Sequence, residues 1–209
     1  ATKNNPVIMG AISDPVGAKL VKDLKHPEGN VTGTSNQVPI KQTVELVKSL
    51  TPNAKTIGTI YSSSEVNSQI QVEKMKAYAA TKGITVVEAT VSNVNDIQQA
   101  ATNLVNQDVQ AIYTPTDNVL ASAMANLAQI TVFAADEGMT MTGGVATYSV
   151  DYYKLGYQTG LMAAKVLSGE AKVSDMAIET QKDIKLTVNE ERAKKLGITI
   201  PDALRKDMK

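Results

Sequence analysis

The sequence predicts an α/β protein built on parallel sheet. Three observations carry this. Apolar runs of strand length alternate with amphipathic stretches of helical length along nearly the whole chain. Crossover segments of that length are what parallel strands require. And the apolar runs end again and again in clusters of small polar residues, as at "AIYTPTDN".

In chain order, "PVIMGAIS" reads as a strand followed by a helix "PVGAKLVKDL". "NVTGTS" is a short extended piece, and "IKQTVELVKSL" is a helix with Ile40, Val44, Val47 and Leu50 on one face. Strand "TIGTIYS", helix "VNSQIQVEKMKAYAATKG", strand "ITVVEATV", helix "VNDIQQAATNLVNQ" and strand "VQAIYT" follow. Helix "VLASAMANLAQ" then leads to strand "ITVFAAD". The last third reads as strand "GVATYSV", helix "YYKLGYQTGLMAAKVLSG", strand "IKLTV" and helix "EERAKKLG". Gly83 and Gly169 stand where glycines end helices. Tyr152, Tyr153 and Tyr157, about one turn apart, are expected to pack.

Bulk properties exclude several functions. The 209 residues balance 21 Lys and Arg against 21 Asp and Glu, so the basic excess of a nucleic-acid or membrane-surface binder is missing. No Cys is present, which removes disulfides, thiol nucleophiles and Cys-ligated metals. His26, the only histidine, precedes the turn signal Pro27-Glu28-Gly29 and is expected in an exposed loop. No nucleophile–base arrangement can be built around it. The phosphate-cradling glycine spacings are lacking. The sequence therefore predicts no catalytic residues, no metal and no cofactor.

The strand ends are the informative feature. "VIMGAI" leads to Ser13-Asp14-Pro15, "NVTG" to Thr34-Ser35-Asn36, and "TIGTIY" to Ser62-Ser63-Ser64-Glu65. "VQAIYT" leads to Pro115-Thr116-Asp117-Asn118 and "TVFAA" to Asp136-Glu137-Gly138. Helix caps explain one Ser, Asp or Asn per junction. In a parallel sheet, strand C-termini share the edge where ligands bind. Clusters of three and four thus suggest a polar rim that holds a molecule without transforming it.

The segment "PVIMGAISDPVGAKLVKDLKHPEGNVTGTS" resembles a diagnostic stretch of bacterial ABC-transporter substrate-binding proteins of the tryptophan/tyrosine-uptake type. Members read I-P-V…A-V-[ST]-D-P-V…G-L-V…P-G-G-N-V-T-G-x-S. "LTPNAKTIGTIYSSSEVNS", "AIYTPTDN", "ADEGM", "VDYYKLGYQTGLMAAKVLSGE" and "KLTVNEERAKKLGITIP" are similar too, in the same order. The resemblance implies a type I periplasmic-binding-protein fold, two doubly wound lobes closing at a hinge. Lobe two is expected over 37–137, and lobe one over 1–36 plus 138–209. Relatives carry a further lobe-one portion and a signal or lipoprotein signal upstream. Lobe one is therefore expected to be incomplete here, with "VIMGAIS" at an unpaired edge and the chain prone to self-association. A near-absent loop in "ANLAQITVFAAD" raises the expectation of missing residues near Ile130-Thr131.

The resemblance further implies an extracytoplasmic, lipid-anchored or periplasmic protein. It would bind a small polar solute, an aromatic amino acid in the first instance, and deliver it to a membrane ABC permease, as a monomer when full length. Alternatives are the effector domain of a transcriptional regulator or a doubly wound enzyme. Expected ligand contacts are Ser13, Asp14, Thr34 and Ser35 from lobe one. From lobe two they are Tyr61, Ser62, Asn67, Thr116, Asp117, Asn118, Asp136 and Glu137. Asp117 is the first choice for an ammonium group and Asp136 the second. Tyr61 is the aromatic candidate for stacking. On that reading Asp117→Ala would abolish binding at little cost in stability.

Overall fold

The structure is a computed structural model that describes residues 2–127 and 129–208. The join at Ala128, and with it part of the expected gap before Ile130, lies outside the described residues. The chain divides into two compact units. One comprises Ala1–Gln37 and Val150–Ile184, the other Val38–Ser149 and Lys185–Lys209.

The first unit holds a three-stranded sheet in the order β1 (Val7–Met9), β2 (Val31–Ser35) and a two-residue strand, Glu179–Thr180; both pairings are parallel, and β1 is an edge. Met9, Val21 and Ile178 form its small core cluster. Gly33 is what lets β1 and β2 approach. Its φ of +138° is outside the range of L side chains, and a Cβ there would lie 1.9 Å from the Met9 carbonyl oxygen.

The second unit carries α1 (Ile40–Leu50), β3 (Thr56–Ser62), α2 (Val66–Thr81), β4 (Thr85–Val91), α3 (Ile97–Val105), β5 (Ala111–Thr114), α4 (Asn118–Ala121), β6 (Val132–Ala134), α5 (Glu137–Gly143) and β7 (Ala146–Val150). The first unit's long helix is α6 (Tyr152–Leu167), and its short strand is β8 (Glu179–Thr180). Then β9 (Ile184–Val188), α7 (Glu190–Lys195) and α8 (Asp202–Arg205) complete the second unit. Its sheet runs β4-β3-β5-β6-β7-β9, with the β4-β3, β3-β5, β5-β6 and β6-β7 pairs parallel.

This sheet is covered on both faces. Val44, Val47 and Leu50 of α1 and Met75 and Ala79 of α2 pack with Ile57, Tyr113 and Phe133 on one face, joined by Leu186, Ala193 and Ile200 of the C-terminal segment. Ile97 and Leu104 of α3, Leu120, Met124 and Met139 pack with Ile60, Ile112, Val132 and Ala134 on the other. Alternation along β3, β5 and β6 sends successive side chains to opposite cores. Each fully buried Leu, Ile or Phe contributes about 1.5–3 kcal/mol. Because α2 leads outward from β3 to β4 on one face and α3 returns across to β5 on the other, the winding reverses between β3 and β5.

Several expectations need correction. The chain from 138 to 149 and from 185 to 209 belongs with the second unit, not with the first. α5 and β7 extend the parallel sheet beyond β6, and Leu186, Ala193 and Ile200 lie in its core. α5 itself was hidden in "EGMTMTG", whose two glycines and two threonines disfavour a helix. The expected helix over 15–24 is a run of turns. Lys19 sits at φ +57°, and Ala18, Lys19 and Leu20 donate to Asp14, Val16 and Pro15 respectively. The expected helix over 119–129 is one turn, α4, followed by a 3-10 helix (Met124–Leu127) whose backbone touches Gly143; a Cβ there would lie 2.0 Å from Met124 O. Tyr153 and Tyr157 do not pack: they are 84% and 65% exposed.

Gly33→Ala is expected to break the β1–β2 pairing at a cost of about 2 kcal/mol or more. Hydrogen exchange checks it. Protection should fall at Val7–Met9 and Val31–Ser35 while β3 and β5 keep theirs.

Candidate ligand-binding site

The order β4-β3-β5 puts the reversal of winding at the C-terminal ends of β3 and β5, where an open α/β sheet offers its ligand crevice. Ser62 ends β3, and Thr116, Asp117 and Asn118 follow β5. These four expected site residues do converge there. Most of their polar atoms, however, are bonded to one another, to α2 and to α4.

Asp117 is 2% exposed. One carboxylate oxygen, Oδ2, accepts from the Ser62 amide (2.7 Å) and the Ser68 hydroxyl (2.9 Å). The other, Oδ1, accepts from the amides of Val119 (3.0 Å) and Leu120 (3.1 Å), capping α4. Four donors fill the lone-pair sites of a carboxylate. The Thr116 carbonyl accepts from Asn67 Nδ2 (2.7 Å) and Ser68 Oγ (3.1 Å), and its amide donates to Gln71 Oε1 (3.0 Å). Asn118 Nδ2 donates to Glu65 Oε1 (2.9 Å). Ser62 Oγ and Ser64 Oγ are 2.9 Å apart. The loop after β5 is thus stapled to the first two turns of α2. Asp117, offered from sequence as the ammonium acceptor, is held as a structural anchor.

Tyr61 is also turned elsewhere. Its hydroxyl donates to Glu88 Oε2 (2.7 Å), and Glu88 Oε1 pairs with Lys76 (2.6 Å). Glu88 lies opposite Thr59, two residues before Tyr61's own partner Thr90, so the phenol points back along the sheet, away from the rim. Burial, then the bond to Glu88, push its pKa up to about 12. Lys76, then Tyr61, hold the Glu88 carboxyl below the usual range.

Asp136 differs from Asp117. It follows β6 and caps α5 through one bond, the Met139 amide to Oδ1 (2.9 Å). The Gly138 amide is the one other described donor acting on this carboxylate, against four donors on Asp117, and no described cation pairs with it. Burial raises its pKa, outweighing the amides of Met139 and Gly138. Glu137 beside it is exposed. On the neighbouring strand, Thr147 and Ser149 are 1% and 2% exposed, and neither hydroxyl has a hydrogen-bond partner. The Phe133–Ala146 pairing puts Thr147 level with Ala134, two residues before Asp136, with Ser149 farther along β7 on the same face as Thr147 and toward the same edge.

In the first unit, Thr34 is taken up. Its hydroxyl accepts from the Ala11 amide (3.1 Å) and lies 2.6 Å from the Thr159 hydroxyl. Asp14 Oδ1 accepts from the Gly17 amide (2.8 Å). Ser13 is half-buried. Ser35 Oγ is buried without a partner, as is Asn36 Oδ1, while Asn36 Nδ2 donates to the Tyr152 hydroxyl (2.8 Å).

Ser68 and Gln71 escaped the sequence reading although they organise the crevice. Their signal was available. In the helical series Ser68, Gln71, Val72, Met75, Ala79, two polar residues occupy core positions. Gln71 Nε2 and Thr116 Oγ1 remain buried and unpartnered. Among the described residues no group of three His, Cys, Asp or Glu could hold a metal.

Two outcomes follow from the contrasting aspartates. Asp117→Ala strands the Ser62 amide and the Ser68 hydroxyl, and should cost about 3 kcal/mol or more in urea unfolding. For Asp136 the sign is opposite. A carboxyl whose folded pKa is raised binds its proton more tightly in the native state, so it lowers stability as pH rises through that range. Asp136→Asn keeps a capping side chain and removes the charge. Its melting temperature at pH 7 is expected to match or exceed that of the unsubstituted chain, with the difference shrinking toward pH 3.8, the usual aspartate value. A constant deficit at every pH would show the opposite.

Comparison with known proteins fits this architecture. The chain is 44% identical over 204 residues to a tyrosine-binding protein of Clostridioides difficile, covering 95% of this chain and 59% of that one. It spans only 59% and 52% of the lengths of the curated relatives it matches. Among solved structures, an ABC domain from Streptococcus pneumonia in complex with L-Trp matches 100% of this chain and 72% of its own, at 44% identity and a TM-score of 0.93. A ligand-free, open structure of a substrate-binding protein with adhesive properties from Clostridium difficile matches 100% of this chain and 71% of its own, at 42% identity and a TM-score of 0.78. The family model of ABC transporter substrate-binding proteins matches residues 1–209. The chain belongs to the family of ABC transporter substrate-binding proteins.

Proposed function

We propose that this chain is the solute-binding component of an ABC importer, that its ligand is an aromatic amino acid, and that it works outside the cytoplasm. The observation that carries the reading is the 44% identity, along almost the whole chain, to a relative named for tyrosine binding and to a domain crystallised with L-Trp. Polar strand ends support it, since they supply hydrogen bonds without a nucleophile and base set for turnover. A charge-balanced composition supports a small-molecule ligand over a nucleic acid. No described helix is long and apolar enough to cross a membrane. Ligand-linked hinge closure between lobes is the change a permease would read.

The candidate contacts are weighted by what the protein leaves unbonded. Asp136, Glu137, Thr116, Ser13 and Ser35 stay as ligand candidates on that ground, and Asp14, though bonded, stays as one for its place after β1. Thr34, Ser62, Asn67, Asp117 and Asn118 shape the site through the bonds they already make, and Tyr61 braces the sheet edge.

Titration calorimetry of the full chain with L-tryptophan and L-tyrosine tests the proposal. Saturable binding is expected at micromolar concentration or below, about −8 kcal/mol. Absence of binding of either amino acid up to about 1 mM, roughly −4 kcal/mol, would sink it.

A further inference from the structure

We infer that Asp136, and not the carboxylate at the switch point of the sheet, receives the α-ammonium group of the ligand, with the binding site displaced from β3 and β5 toward the ends of β6 and β7. The inference rests on the amino-acid reading above and deepens it. Its first support is an exclusion by valence. An ammonium needs carboxylate lone pairs, and Asp117 has all of its own engaged by Ser62, Ser68, Val119 and Leu120. A ligand amine could bond there only by displacing a strand-end amide or uncapping α4.

Asp136 has the reverse bonding. Oδ1 is anchored by Met139, which fixes the side chain, and with the Gly138 amide only two described donors reach the carboxylate where Asp117 has four. The second support is independent of that carboxylate. Thr147 and Ser149, on one face of the adjacent strand and toward the edge where Asp136 follows β6, are almost wholly buried, and neither hydroxyl has a partner. Buried polar groups ordinarily find one. Two orphaned hydroxyls beside an under-bonded carboxylate describe a place where a polar group from outside completes the hydrogen bonding. An alkylammonium suits it, because its three N–H donors can be shared between a carboxylate oxygen and hydroxyl lone pairs. The raised pKa of Asp136 is consistent, since burial, and then the neighbouring Glu137, disfavour its ionised form.

The test compares L-tryptophan with indole-3-propionate, which keeps the ring and carboxylate but has no amino group. Both are titrated into the full chain and into Asp136→Asn at pH 7, with circular dichroism confirming that the variant is folded. The unsubstituted chain should prefer L-tryptophan by about 10- to 100-fold, the range of a charge-assisted contact. Asp136→Asn should lose that preference, with L-tryptophan weakened by the same factor and indole-3-propionate little changed. A purely structural role would weaken both ligands alike, and that result overturns the inference. So does an unchanged preference in the variant, which leaves the amino-acid reading standing. If the unsubstituted chain binds neither L-tryptophan, L-tyrosine nor any other of the common amino acids, the amino-acid reading falls and this inference falls with it.

Discussion

The carboxylate of Asp117 is the contact on which the architecture of the larger unit turns. It joins three elements: the end of β3 through Ser62, the first turns of α2 through Ser68, and the start of α4 through Val119 and Leu120. A charged group 2% exposed would be costly if it were not so thoroughly bonded. With four donors it fixes the place where the winding of the sheet reverses. The bonds around it, from Asn67, Ser68 and Gln71 to Thr116 and from Asn118 to Glu65, extend the same anchor over the whole β5–α4 loop.

A consequence concerns where ligands can go. In an open doubly wound sheet the reversal of winding leaves a crevice, because adjacent connections leave in opposite directions. Here the carboxylate at that crevice is taken up by the chain's own donors, although Gln71 Nε2 and Thr116 Oγ1 stay unpartnered beside it. For a ligand's ammonium, a carboxylate then has to be sought elsewhere along the same edge, at ends whose polar groups are incompletely bonded. The end of β6, next to β7, meets that condition in the second unit, and the end of β2, with Ser35 and Asn36, meets it in the first.

Much of the fold was legible because periodicity reports burial. α1 and β3 fall where their apolar spacing predicts, and the alternation of strand and helix gave the parallel sheet. Where the pattern misled, a local backbone feature or a tertiary contact decided the outcome. Lys19 at positive φ breaks the segment after β1, and close packing of Gly143 on Met124 reshapes the chain after α4. The boundary between units was hidden for another reason. Nothing in "GVATYSV" or "IKLTV" says which sheet will take them. The site was less legible still. Ser, Asp and Asn after a strand have the same composition whether they cap a helix, staple a loop or await a ligand. Asp117, Asp136 and Asp151 all cap helices. The number of donors reaching each carboxylate separates their roles, and that number depends on residues far away in sequence, such as Ser62 and Ser68 for Asp117.

This distinction carries a physical trade-off. Backbone amides and a ligand's ammonium compete for the same carboxylate lone pairs, so a group cannot be fully used by the fold and fully available to a ligand. A carboxylate left for a ligand must be under-bonded by the protein, and burial then makes its charged form unfavourable until the ligand arrives. Asp136 shows that signature, with one capping bond, a raised pKa and orphaned hydroxyls nearby. Asp117 shows the opposite one. On the proposal above, two aspartates placed alike, each just past a parallel strand and each opening a helix, divide the labour of holding the rim together and leaving it receptive. Stability is concentrated at the first, and part of it is forgone at the second, as sites shaped for binding commonly require.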